Sequence, residues 1–383
     1  MQSFAQNTVG GTALQARQRG RRALTITLFG YSGTPMIRNM LKTRTNIKDV
    51  ASRAGVHPST VSRVLNPATR SMVSESLAKE IIQIADELGY LRNPLASGLR
   101  TRRTFTVGVI IPDLTNPVFP PIVRGVEHTL DSEGYIAILA DSGSKRRSEK
   151  ALIDNMKARQ VDGLILAAAN RKDPLVEQCI EQGIPLVLVN RTIDKHNVAA
   201  VINDDELGID LAVEHLVGLG HRQIAFIGGP RRTSTGYTRY RAFLKTVKKA
   251  RITIDRDLIV NADEFSEPAG QAAFHELIQT GKHFTAVLTA NDLLALGCYD
   301  ALDELGLRCP QDISVTGFND MPYVDRFVPP LTTLHIPHDE LGVQAALLLL
   351  ERIKNPDTPA KQLRLEPRMV VRGSTGVPST PSR

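Results

Sequence analysis

Asn46-Ile47-Lys48-Asp49-Val50-Ala51-Ser52-Arg53-Ala54-Gly55, continued by Val56-His57-Pro58-Ser59-Thr60-Val61-Ser62-Arg63-Val64-Leu65-Asn66, reads as two short helices joined by a tight turn. Asn46 is followed three positions later by Asp49, a helix start close to a capping box. Ile47, Val50, Ala51 and Ala54 keep one apolar face, Gly55 interrupts it, and Pro58 restarts a helix. The spacing carries more than the residues singly. Ala51 is small where two helices cross, Gly55 permits a left-handed turn, and Val61 returns to the shared core, which is the pattern of a helix-turn-helix. A third helix follows, with Ser74 as its cap and Leu77, Ile81, Ile84, Ala85 and Leu88 on one side, ending at Gly89-Tyr90. An ordinary helical hairpin from a protein core would show a similar periodicity, and the surrounding charge favours the DNA-binding reading.

The chain has 383 residues, 42% hydrophobic and 23% charged, the balance of a soluble protein of two or three domains. No apolar run approaches the ~18 residues of a membrane span. Its net charge of +7 is uneven: residues 1–104 hold 16 Lys/Arg against 5 Asp/Glu, and residues 105–383 hold 31 against 35. A basic head on a mildly acidic body points to a polyanion partner for the head. Cys179, Cys298 and Cys309 form neither a disulfide framework nor a zinc spacing, which fits a reducing cytoplasm. Residues 1–44 contain no acidic side chain, no sustained periodicity and no secretory signal, and are read as a disordered extension, with an over-long start as one explanation.

In the second helix, Pro58, Ser59, Ser62 and Arg63 project outward near its start, where a recognition helix meets the major groove. Arg63 is the expected base reader, because its fork can bond both guanine acceptors. Ser59, Thr60 and the first amides suit phosphates.

The segments 46–51 and 55–66, with Glu87-Leu88-Gly89-Tyr90 and Asn93-Pro94-Leu95-Ala96-Ser97-Gly98-Leu99, resemble the lactose/galactose repressor (LacI/GalR) family over residues 46–373. The resemblance implies a hinge helix after Asn93 that orders on operator DNA. It places Leu99 in the minor groove at the centre of a palindrome and Ala96 against its dimer mate, and it adds Asn66 to the DNA-contacting set. Gly98 weakens an isolated helix by about 1 kcal/mol relative to Ala, in keeping with ordering on binding; a plain linker is the alternative. Two features depart from the family: Arg92 stands where Pro often precedes the asparagine, and the loop at 67–72 is slightly long. Both put operator sequence in question more than operator binding.

From residue 105, apolar runs alternate with helical stretches: 105–112, 135–140, 163–168, 185–189, 200–203, 224–228, 258–262, 286–289 and 313–318. That alternation predicts parallel sheets covered on both faces, in two Rossmann-like halves. Ligands bind at the carboxyl ends of such strands, which selects the polar clusters at 113–119, 190–191, 203–205, 290–292 and 317–320. The resemblance implies a periplasmic-binding-protein-like core with crossovers near 204, 333 and 364. By motif position it assigns Phe119 and Phe265 as aromatic walls, Asp204 as a cleft acid, Arg239 as the arginine that bonds effector hydroxyls or carboxylate, and Asn190, Asn291 and Asn319 as polar partners. Many sugar-binding members carry Asp where Asn319 stands; the neutral amide leaves Arg239 less compensated and tilts the expectation toward an anionic effector. Helix capping by Asp204, Asp205 and Asn291, and a core role for Phe119, are the competing readings.

The fold expected is therefore an all-α helix-turn-helix head (45–91), a hinge and linker (92–104), an α/β core (105–373) and a tail (374–383). The function expected is a homodimeric, cytoplasmic, operator-binding repressor governed by a small-molecule effector, without membrane, metal or cofactor. A solute-binding protein of the same core fold would lack the basic head and carry a secretory signal. An enzyme is disfavoured, since no Walker loop, HExxH or nucleophile elbow occurs and His128, His215, His221 and His275 are read as surface or capping residues.

Overall fold

The structure is a computed structural model that describes residues 45–66, 69–90, 103–143, 146–194 and 198–379. The chain divides after Arg92 into two compact units. The expected extension (1–44), Ala96, Leu99 and the hinge lie outside the described residues.

In the first unit, α1 (Ile47–Arg53), α2 (Pro58–Val64) and α3 (Glu75–Glu87) enclose a core of Val50, Ala51, Val61, Val64, Ala78, Ile81 and Ala85. Burying each Val or Ile there contributes about 1.5–3 kcal/mol. Asn46 caps α1 by a reciprocal box: its side chain accepts from Lys48 and Asp49 N–H, while Asp49 accepts from Asn46 N–H at 2.8 Å. Gly55 takes φ +63°, the left-handed turn that its spacing predicts. Ser74 stands at the N-cap position of α3 but makes no capping bond with its side chain, so that assignment is corrected.

The second unit holds two parallel sheets. Strands β1 (Thr106–Ile111), β2 (Ile136–Asp141), β3 (Gly163–Leu166), β4 (Leu186–Val189), β5 (Ala199–Asn203) and β11 (Gln362–Leu365) form a six-stranded sheet in the order β11-β5-β4-β3-β1-β2. Strands β6 (Ile224–Gly228), β7 (Ile259–Asn261), β8 (Ala286–Thr289) and β9 (Ser314–Thr316) form a four-stranded sheet in the order β7-β6-β8-β9. Alternation explains why continuous apolar runs were needed: Val107, Val109 and Ile111 enter one core cluster, while Ile110 enters the one on the opposite face. Among the described residues no helix is long and apolar enough to cross a membrane.

The helices of this unit are α4 (Phe119–Ser132), α5 (Arg146–Ala158), α6 (Pro174–Glu181), α7 (Asp205–Gly218), α8 (Ser234–Lys249), α9 (Glu267–Gln279), α10 (Asp292–Glu304) and α11 (His338–Lys354). The chain passes between the halves at 203–205, at 335–338 and at 365–368, against expected positions near 204, 333 and 364. The last two passages use β10 (Thr333–His335), β11 and β12 (Arg368–Val370), with β10 and β12 paired antiparallel. These three short strands were not anticipated. They hold three or four residues each, several of them polar, and are extended because β11 pairs with β5 at the edge of the six-stranded sheet while β10 and β12 pair with each other.

Two expectations are corrected at the C-terminus. Residues 374–376 are not a tail: Ser374 is fully buried, accepts from Thr332 N–H at 2.8 Å and donates to Val315 O. His221 and His215 are not surface or capping residues. His221 is buried between Thr285 Oγ1 (2.8 Å) and Gly376 O (2.9 Å), and His215 contacts Thr375 Oγ1 at 2.9 Å, so both tie down the returning chain.

Candidate functional site

On the head, α2 carries Ser59, Ser62 and Arg63 exposed, with Pro58, Thr60 and Asn66 partly exposed. His57, which was not expected as a cap, accepts Ser59 N–H through Nδ1 at 3.2 Å and lies 2.8 Å from Ser59 Oγ. That bond fixes the first turn of α2 and with it the direction of the exposed face. Val61 and Val64 on the opposite face are fully buried, so Arg63 is held outward by the packing of its neighbours.

In the core, the carboxyl ends of both sheets open into one cleft of about 230 Å³, with a smaller recess of about 30 Å³ beside it. Phe119 and Phe265 line both spaces, and Asn190, Arg239, Asn291 and Asn319 line the recess. Six of the seven expected cleft residues are thus brought together from α4, from the loops after β4, β7 and β9, and from the starts of α8 and α10. Phe119 is 2% exposed at the first position of α4. Phe265 lies against Gly229, where any Cβ would collide with its ring.

The polar residues have structural duties as well. Asn190 and Asn319 sit at φ +64° and +123°, and the first is left-handed backbone that Asn tolerates better than most residues. Asn190 Oδ1 accepts from Asn203 Nδ2 at 3.2 Å. Asn291 caps α10 by accepting Leu294 N–H at 2.9 Å through Oδ1, a bond that does not use its Nδ2 amide.

Asp204 is corrected. It caps α7, accepting Leu207 N–H at 3.0 Å, and lines neither space. The next residue, Asp205, enters the helix about 100° further round and is buried against Arg239, with contacts of 2.9 Å to Nε and 2.8 Å to Nη2. Burial pushes the Asp205 carboxyl up, and the Arg239 guanidinium pulls it back. Arg239 also donates to Ala290 O and lies 3.7 Å over the Phe318 ring. The expectation that Asn319 leaves Arg239 less compensated is therefore corrected, because Asp205 pairs with it.

The cleft also contains residues not singled out from the sequence, notably Asn116, Arg191, Thr233 and Thr235. Asn116 and Arg191 lie in polar clusters that the strand-end rule had selected. Thr233 and Thr235 follow β6 in Gly229-Pro230-Arg231-Arg232-Thr233-Ser234-Thr235, a polar stretch after an apolar run that the same strand-end rule could have found. Arg191 is drawn down to about 10 by burial and by the nearby Arg232 and Arg239, while Glu149 acts in the opposite sense.

Residues 46–93 match the family model described as bacterial regulatory proteins, lacI family, and residues 213–375 match the periplasmic binding protein-like domain. The HTH-type transcriptional repressor PurR of Photorhabdus laumondii is 34% identical over 330 residues, covering 86% of this chain and 96% of that protein. The ribose operon repressor of Haemophilus influenzae is 32% identical over 329 residues, covering 86% and 98%. Among solved structures, the lac repressor dimer bound to operator and the anti-inducer ONPF is similar with a TM-score of 0.79 at 28% identity, covering 87% of this chain and 100% of that one. The transcriptional regulator CelR–cellobiose complex matches at 0.67 and 31%, covering 86% and 100%. Head, core and relatives agree: the chain belongs to the LacI/GalR family of DNA-binding transcriptional regulators and is not an enzyme.

Proposed function

We propose that this regulator is a homodimeric, cytoplasmic repressor that reads a palindromic operator through α2, with operator affinity set by a small metabolite in the core cleft. The observation that carries the effector half is the convergence of Phe119, Asn190, Arg239, Phe265, Asn291 and Asn319, widely separated in sequence, on one space between two sheets. Aromatic walls with amide and hydroxyl groups between them suit a polyhydroxy ring, and two of the similar structures hold cellobiose and ribose. The DNA half rests on the exposed Ser59, Ser62 and Arg63, supported by the operator complex of the lac repressor dimer. Pro58, Thr60 and Asn66 flank them, and Ala96 and Leu99 are assigned to the hinge contact. Leu114 is exposed beside Asp141, and Ile136 and Leu139 are exposed along edge strand β2, apolar side chains suited to a partner copy.

A ligand shifts operator affinity only as far as its affinities for the two core conformations differ. The test is selection of the operator from random DNA, followed by operator titrations with and without candidate metabolites. A palindromic site whose affinity moves with one metabolite is expected. Binding without sequence preference would refute the reading.

A further inference from the structure

Arg191 directly follows Asn190 at the end of β4 and lines both the main cleft and the recess. Its Nε is buried and has no hydrogen-bond partner among the described residues. Arg239, the other guanidinium of the recess, is already occupied by Asp205 and Ala290 O. The two arginines therefore differ: Arg239 is held by internal partners on all three nitrogens, whereas Arg191 keeps a buried Nε without a partner among the described residues. An enclosed guanidinium without a partner is costly, and a bidentate carboxylate is its best match.

The acids are placed unevenly. Asp113, Glu149 and Glu264 line the main cleft, whereas among the described residues no carboxylate lines the recess, which Arg191 shares with the amides of Asn116, Asn190, Asn291 and Asn319. A molecule with one carboxylate and several hydroxyls fits this polarity in one orientation. Its carboxylate enters the recess, its hydroxyls donate outward to the acids, and its apolar face meets Phe119 and Phe265. A phosphate dianion would meet more repulsion from the three acids. The cleft of about 230 Å³ lies below the usual span for drug-sized ligands, roughly 300–1,000 Å³, so a single six-carbon unit suits it.

We propose that Arg191 is an effector-binding residue and that the effector is a monoanionic sugar acid, held by its carboxylate on that guanidinium. This rests on the reading of the core cleft as the effector site.

The test is calorimetric titration and thermal melting of the full-length protein. The panel comprises D-gluconate, D-galactonate, D-glucuronate and D-galacturonate, beside D-glucose, D-galactose and glucose 6-phosphate, with sodium acetate against sodium chloride at equal ionic strength. At least one sugar acid should bind about 10- to 100-fold more tightly than its neutral counterpart. Arg191→Gln should erase that preference and Arg191→Lys should restore part of it. Acetate should raise the melting temperature of the wild type above its value in chloride, and not that of Arg191→Gln. Circular dichroism establishes that both variants fold. The proposal is overturned by tighter binding of neutral sugars or the phosphate ester, by an unchanged preference in Arg191→Gln, or by a panel and acetate that leave the wild type unmoved. A neutral sugar that shifts operator affinity would sink the sugar acid and leave the repressor reading standing. A sugar acid that binds through Arg191 without moving operator affinity would do the reverse.

Discussion

Asp205 holds Arg239 through contacts of 2.9 and 2.8 Å in a pair whose side chains are only 9% and 3% exposed. Removing one partner strands a buried charge, at a cost of about 3–5 kcal/mol, so Asp205→Ala should lower unfolding stability by that order. The double variant Asp205→Ala/Arg239→Met should lose much less than the sum of the single losses. Urea unfolding followed by circular dichroism measures both, since the chain has no Trp; additive losses would show that the pair is not coupled. Arg239→Ala should therefore abolish the effector response partly by loosening the core.

Arg63 is exposed on α2, between residues buried in the head core. Arg63→Ala should cost about 1–3 kcal/mol on the selected operator and relax preference at one base position. A repeat of the binding-site selection with the variant measures this, and an unchanged consensus would exclude base reading by Arg63.

Burial raises the carboxyl of Asp292 to about 6, despite bonds from Thr333 Oγ1 at 2.6 Å and Met321 N–H at 2.8 Å that favour its charged form. A raised carboxyl holds its proton more tightly folded than unfolded, so its contribution to stability falls as pH rises from about 4 to about 6. Relative to Asp292→Asn, the wild type should lose about 2 kcal/mol between pH 4 and 7. Denaturation series on the two proteins give this difference directly, and a flat one would place the carboxyl at its ordinary value.

The two halves of the core also meet at a rim of the cleft. The Arg171 guanidinium lies 3.4 Å from the centre of the Tyr237 ring, Arg171 N–H donates to Arg232 O at 2.9 Å, and Thr192 N–H donates to Ser234 Oγ at 2.9 Å. Tyr237→Leu removes a cation–π contact worth about 0.5–2 kcal/mol. Effector affinity should fall about 2- to 30-fold with the operator affinity of the free protein little changed. Equal effector affinity in the variant would mean that the contact does not favour the ligand-holding conformation.

Much was legible in the sequence because its cause is local. Ala51, Gly55 and Val61 announce the helix-turn-helix since one turn has only one way to cross two short helices, and β1 to β9 each lie at one of the nine apolar runs. The strand-end rule selected the clusters that hold Phe119, Asn190, Asn291 and Asn319, the family resemblance alone added Arg239 and Phe265, and the folded chain gathers these six around one cleft. Tertiary structure decided the rest. Asp204 and Asp205 are adjacent and alike, yet one caps a helix and the other neutralises Arg239, because a single step along a helix turns a side chain about 100°. β10, β11, β12 and residues 374–376 have no pattern of their own and are ordered by what they pair with. The family motif points to Arg239, and Arg191 lies unmarked in a polar cluster; only the packing around them gives Arg239 internal partners and leaves Arg191 Nε without one among the described residues.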